Sequence, residues 1–579
     1  MKNIRSSINF FSFTFILIII FFLNRENIIQ LLFGLAFLGL LSFVLFKEIS
    51  IKNLTFYSVI YNLIPWDPLF SSNQSIYFPK ILKNLNYLGL EDDWYSGFPA
   101  PYPIFNYFTE FLINTINLAA VELIPWIIIS MGFMAIQKIC LLLQIPSNKI
   151  FLISFTIAFL VIWSKLPPVG DNRIPEILSP IQELIGITQI FLGGLSSFSI
   201  FSYVYEPQAF DILFLFGIAY FMKKEYIISF LICVTLALFH YWLFLPIFVM
   251  YGIYITTENK SKNFTYYGIL LLLPLIFVLI FNQITNKVDT NQANEINSEN
   301  SLTLILDERL GIHRISYPKL TAGAWIYTES PIAFEFNYKN FQVNKINDNR
   351  EILSGLSSTE NGSSLPFEYL VLCFLGIKFS SNKNLRYFLL ISNTIWISTF
   401  ILNSLLEVPI LKTFQPWRIS SICIFLSTLL ILSKLFDGLN TKLPNFLILT
   451  IILLSISFLT PSKGVIPQYP EFEKAKIDIT QNLFVDPQLR DFSLNTGGRS
   501  VYVSRNFPYV DSGILEWNKR FKLNDQIFNA KDCRELKQLI VFSEFNSNYL
   551  VFDSSKSERN IKNIKNCDVN IIDLKELRS

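Results

Sequence analysis

The chain has 579 residues, of which 52% are hydrophobic, 16% aromatic and only 16% charged, with Phe alone filling 57 positions. Soluble domains carry about 25% charged residues, so a string of water-soluble domains is excluded, as are collagen-like, disordered and disulfide-scaffold chains. Lys and Arg (47) nearly balance Asp and Glu (44) for a net charge of +3, which leaves no basic field for nucleic acid.

Apolar stretches of spanning or near-spanning length lie at 9–23, 28–46, 121–143, 149–163, 203–222, 226–238, 241–255, 264–281, 367–379, 386–403, 419–435 and 445–459. A span takes roughly 20 residues, so the shorter stretches must extend into their polar flanks. The pattern predicts a mainly α fold, a polytopic transmembrane helical bundle of about 11–12 spans. Four regions follow: N-terminal apolar helices over 1–46, a first external loop over 47–105, a multi-span domain over 106–460, and an external α/β domain over 461–579.

The links between stretches sort into two kinds. Short basic ones carry Lys149, Lys223, Lys224, Lys260, Lys262, Lys383, Arg386 and Lys442, while long ones cover 47–103, 165–202 and 282–366, with the tail beyond 461. Lys and Arg accumulate in short cytoplasmic loops, so the long loops and the tail are expected outside. The first two stretches resist this rule, because two spans there put Lys2 and Arg5 outside. Either the first is an interfacial helix or re-entrant hairpin, or the short link at 24–27 marks no real turn; a signal segment is a further alternative, though no small-x-small cleavage site follows it.

Charges return in the tail and apolar runs shorten. Alternation at 500–505 and short β-type runs at 549–553 and 569–573 predict strands, and 512–521 and 532–541 read as helices. Cys140, Cys233, Cys373 and Cys423 fall in apolar stretches and read as small buried hydrophobes. Cys533 and Cys567 lie in the tail, where an oxidising compartment lets them pair; otherwise they are two free thiols.

Candidate chemistry begins with Glu91, Asp92 and Asp93, followed by Trp94 and the Gly97-containing, proline-rich run to Pro103. Adjacent carboxylates repel, and a divalent cation such as Mg²⁺ or Mn²⁺, or a proton held on one of them, relieves the repulsion. Such an acid can also deprotonate a hydroxyl, with Asp93 the residue whose loss should harm activity most and Asp92 next. The bland alternative is a solvated loop with a helix cap. Arg418 opens a span beside Trp417, near Lys412, and is either a bidentate phosphate ligand or a snorkelling anchor. Asp211, near Glu206, sits at the outer end of a span and faces either a cavity or the interface. His240 and His313 are the two histidines, too few for a His-rich metal site, and each is either structural or catalytic.

A multi-pass chain whose first large external loop ends in paired acids and an aromatic-Gly-Pro stretch resembles the GT-C glycosyltransferase superfamily. Tyr77-Phe78-Pro79, Asp93-Trp94, Gln415-Pro416-Trp417-Arg418, Gly498-Arg499 and Glu516-Trp517-x-x-Arg520 are similar to a family of bacterial multi-pass membrane proteins of unknown function. The superfamily resemblance implies a polyprenyl-phosphate-linked sugar donor, an external active site, inverting transfer, and Asp92 and Asp93, with Glu91 as alternate, as base or metal ligands. A second acidic motif has no clear counterpart; Asp171 or the Asp307-Glu308 pair stands in for it. With membrane lipid as surroundings and no nucleic acid, the expected place is a bacterial inner membrane, tail outward. Rival functions are a transporter or flippase for a lipid-linked or polar solute, and a non-catalytic scaffold in envelope assembly.

Overall fold

A computed structural model of the chain describes residues 74–86, 90, 93–97, 102–116, 120–163, 205–258, 334–337, 342–345, 363–364, 367–406, 416–437, 475–478, 480–486, 499–503, 511–554, 564 and 567–578. The expected spans at 9–23, 28–46, 264–281 and 445–459 lie outside these residues, as do Glu91, Asp92, Asp171, Asp307, Glu308, His313 and Lys412.

The described chain is mostly helical. Helices α1 (Gln74–Asn84) and α2 (Pro103–Thr115) flank a 3₁₀ turn at Tyr95–Gly97. Pro103 suits the first turn of α2, where its fixed φ is already helical and its missing N–H costs nothing. Then come α3 (Ala120–Leu142), α4 (Ser147–Trp163), a 3₁₀ turn at Pro207–Leu213 leading into α5 (Phe214–Met222), and α6 (Tyr226–Phe239). A turn at Tyr241–Leu243 opens α7 (Phe244–Glu258). Three short strands, β1 (Phe334–Asn337), β2 (Gln342–Lys345) and β3 (Ser363–Ser364), pair antiparallel in the order β2-β1-β3. Helices α8 (Phe367–Phe379) and α9 (Lys383–Leu406), a turn at Pro416–Ile419, and α10 (Ser420–Asp437) complete the bundle.

Two stretches among the described residues, Lys383–Leu402 and Pro416–Asp437, are long and apolar enough to cross a membrane, and five shorter ones are apolar. The expected stretch at 203–222 is shorter as α-helix because its first turns are wound as 3₁₀ behind Pro207. Close packing relies on small residues. A Cβ on Gly376 of α8 would collide with Ser427 of α10, and one on Gly217 of α5 with Cys233 of α6. Ser229 of α6 also donates to the Gly217 carbonyl at 2.7 Å. At the end carrying the short basic links, Asn384 donates to the Phe221 carbonyl (3.1 Å) and Lys149 to that of Asp437 (2.6 Å).

The tail forms a separate core around Phe484, Tyr502, Trp517, Ile527, Leu536 and Leu550. Its strands β4 (Phe484–Val485), β5 (Tyr549–Phe552) and β6 (Asn570–Asp573) are parallel in the order β4-β5-β6, with Val485 opposite Val551 and Phe552 opposite Asp573. Parallel neighbours need a crossover, which α11 (Asp511–Phe528) and α12 (Cys533–Phe542) supply between β4 and β5; α13 (Leu574–Arg578) ends the domain. The expected strand at 500–505 is reduced to a single bridge from Val501 to Leu483. Asp532 caps α12 through the Arg534 and Glu535 N–H groups, and Glu535 accepts from Lys531 N–H, a reciprocal cap. Cys533 and Cys567 are joined as a disulfide, with Cα atoms 5.2 Å apart.

Candidate functional site

Helix direction brings three of the expected residues to one end of the bundle. Helix α5 runs toward the basic link at Lys223 and α6 returns from it, so Asp211, before α5, and His240, after α6, share the opposite end. Helix α10 runs to Asp437, beside Lys149, so Arg418 at its start lies at that same end. Asp211 and Arg418 lie within 3₁₀ turns there, and His240 directly precedes one.

The Asp211 carboxylate is 1% exposed and His240 4% exposed. His240 Nδ1 lies 2.8 and 2.9 Å from the two carboxylate oxygens. The Trp242 indole N–H lies 3.0 Å from Asp211 Oδ2 and 2.7 Å from His240 Nδ1, and these two approaches compete. An indole nitrogen only donates, and a ring nitrogen facing a carboxylate is itself the donor. We therefore assign the indole N–H to Asp211 and the imidazole proton to Nδ1, which leaves the lone pair on Nε2. The half-buried Arg418 is near enough for its charge to act on Asp211. A buried carboxylate is costly unless paired; here an imidazole and an indole contact it, and the Arg418 charge acts on it from farther away. Tyr102 closes one side, its ring 5.3 Å from His240 edge-on and 5.1 Å from Tyr241.

Asp93 belongs to a different arrangement. Its carboxylate accepts from the Ser96 N–H at 2.7 Å and also from the Val501 N–H of the tail, while Ser96 Oγ donates to its carbonyl at 2.8 Å. Lys83 Nζ lies 3.3 Å from that carbonyl. Burial pushes the Asp93 carboxyl above its usual range, against the pull of the Ser96 and Val501 bonds and the Lys83 charge. Trp94 packs against both the bundle core and the tail core. Arg520 of α11 stacks between the rings of Trp94 (4.9 Å) and Tyr502 (5.1 Å) and donates to Glu516 at 2.8 Å. The acidic turn is thus the seat of the tail domain.

Helix α2 carries a polar line through an apolar surface. Tyr102, Asn106 and Glu110, each four residues apart, share one face. Glu110 accepts from Asn84 of α1 at 2.6 Å. Burial raises its carboxyl to about 7, with the Asn84 bond and the Lys80 ammonium opposing, and Lys80 is in turn lowered by its own burial. Asn106 is 3% exposed, and among the described residues neither its Nδ2 nor its Oδ1 has a hydrogen-bond partner. Leaving a buried polar atom unpaired costs about 1–3 kcal/mol.

The structure therefore gathers Asp211, His240 and Arg418, and gives Asp93 a capping and docking environment of its own. Trp242, Tyr102, Asn106, Glu110 and Val501 were not singled out from sequence. Polar residues at helical spacing within Phe- and Ile-rich α2 were a readable signal for Asn106 and Glu110; nothing marked Val501. The described partners of Asp93 are two N–H groups, with an ammonium nearby, while Glu91 and Asp92, the other oxygen ligands expected for Mg²⁺ or Mn²⁺, lie outside the described residues. Among the described residues no group of three or more His, Cys, Asp and Glu side chains could hold a metal ion. No family model, no curated protein and no solved structure matches this chain.

Proposed function

We propose that the chain is a multi-pass integral-membrane glycosyltransferase of GT-C type, which transfers a sugar from a polyprenyl-phosphate donor on the external face of a bacterial inner membrane. The observation that supports this most is the buried Asp211–His240 pair beside Arg418, at the bundle end away from the short basic links. The positive-inside rule makes that end external. Arg418 suits the phosphate of the carrier, because a guanidinium can meet two phosphate oxygens at once. Asp211, itself held by the Trp242 indole N–H, keeps His240 in the tautomer whose Nε2 can take a proton.

In the reaction, His240 Nε2 accepts the proton of an acceptor hydroxyl as its oxygen forms a bond to the anomeric carbon. The bond from that carbon to the phosphate oxygen breaks, and polyprenyl phosphate leaves with the electron pair against Arg418. The base role moves from Asp93 to His240, because the Asp93 carboxylate is occupied by backbone donors. A scaffold reading draws on the docked tail, whose contacts need no chemistry. A transporter reading expects charged or broken helices near the bilayer midplane, whereas Asp211, His240 and Arg418 gather at one end of the helices.

Cells carrying His240→Gln or Arg418→Ala at matched protein level test the proposal. Lipid-linked sugar should accumulate and surface glycan should fall. Full product from both variants would favour the scaffold.

A further inference from the structure

We propose that Asn106 is a sugar-reading residue, and that it takes a pair of hydroxyl groups on a neutral polyhydroxylated ligand beside His240. The inference rests on the glycosyltransferase reading and names the part of the donor that one wall of that site recognises. It starts from placement. The Asn106 N–H donates to the Tyr102 carbonyl at 3.1 Å, so Asn106 lies one helical turn beyond the ring that meets His240. Its side chain is 3% exposed, yet both of its polar atoms are without a partner. The neighbouring polar side chains on α2 are used: Glu110 is held by Asn84 at 2.6 Å, and Thr109 meets the Tyr205 hydroxyl at 3.0 Å. Asn106 alone on this helix keeps a donor and an acceptor unspent among the described residues.

The chemistry of the amide selects the ligand class. An anion wants donors only, which Arg418 provides and an amide oxygen opposes. A cation wants acceptors only. A donor and an acceptor about 2 Å apart on one planar group match two adjacent hydroxyls, one accepting and one donating. Removing such a group from a site built to use it typically costs far more than removing an apolar contact, because the ligand hydroxyls are left unpaired.

The test uses the full chain in lipid nanodiscs, with polyprenyl phosphate and polyprenyl-phosphate glucose, mannose and N-acetylglucosamine as probes. Asn106→Leu is close in volume and removes both polar atoms; Asn106→Asp keeps the shape and the acceptor but loses the donor. The proposal expects at least one sugar-bearing lipid to bind the parent chain more tightly than the bare carrier. Both variants should weaken that lipid on the order of tenfold, leave the bare carrier unchanged, and keep or raise the unfolding temperature. Equal binding of the sugar-bearing lipid by parent and Asn106→Leu, with a raised unfolding temperature, would mark the amide as a buried water site and overturn the proposal. A parent chain that binds the carrier but prefers no sugar overturns it too, leaving the lipid-phosphate reading standing. A parent chain that ignores the carrier as well overturns both.

Discussion

Glu110→Gln isolates the burial of one carboxyl at the base of the first external loop. Gln keeps an oxygen for the Asn84 amide, 2.6 Å away in the parent, and removes only the titrating proton. The parent carboxyl titrates near 7 in the folded chain against an ordinary value of 4.5. Between those values the folded state binds more protons than the unfolded state, so stability must fall as pH rises through that window and level off above it. One pH unit corresponds to about 1.4 kcal/mol, which bounds the loss at about 3 kcal/mol by pH 8. The variant should lack this slope, and so gain on the parent by about 2–3 kcal/mol between pH 4.5 and pH 8. Amide hydrogen exchange at Leu112 and its neighbours in α2 reads the local stability of the full chain in nanodiscs. Parallel pH profiles for parent and variant would refute the reasoning.

Arg520→Ala should loosen the tail from the first loop, since each ring contact is worth about 0.5–2 kcal/mol. Exchange should quicken at the Ser96 and Val501 amides while Leu550 and Val551 in the parallel sheet stay protected; unchanged Ser96 exchange would contradict the docking role. Cys533→Ser opens a link between residues 34 positions apart and should cost the tail roughly 3–4 kcal/mol in denaturant unfolding. Thiol labelling of both cysteines in unreduced native protein would end that idea. Reporter fusions after Lys224 and Lys262 should read cytoplasmic, and those at Asn340 and Asn546 external; a cytoplasmic Asn546 would strand the proposed site on the wrong side.

Much of the helical pattern was legible because lipid-compatible helices announce themselves by composition: 367–379 coincides with α8, and 226–238 and 419–435 fall within one or two residues of α6 and α10. The strands at 549–553 and 569–573 were readable as short β-type runs, and the helix read at 532–541 matches α12. The 3₁₀ turns were not readable, because at those helix ends apolar sequence continues while the backbone tightens. Asp211 and Arg418 sit in those turns, and His240 directly before one. Each of the three stood out alone as a costly polar group near lipid, but their convergence depends on helix pairing across long sequence separations. Of the acidic triplet only Asp93 is described. Its local chemistry was conspicuous, whereas the Val501 N–H that occupies Asp93 comes from the other end of the chain.

The most direct test of the Asp211–His240–Arg418 site is the release of polyprenyl phosphate from a polyprenyl-phosphate sugar by the purified full chain in nanodiscs, supplied with an acceptor lysate fraction. His240→Gln keeps a polar side chain but removes the base nitrogen. The account predicts that release slows on the order of 10²–10⁴-fold, while Asp93→Asn, at matched folding, slows it far less. Undiminished release by His240→Gln, or a greater loss in Asp93→Asn, would contradict the account.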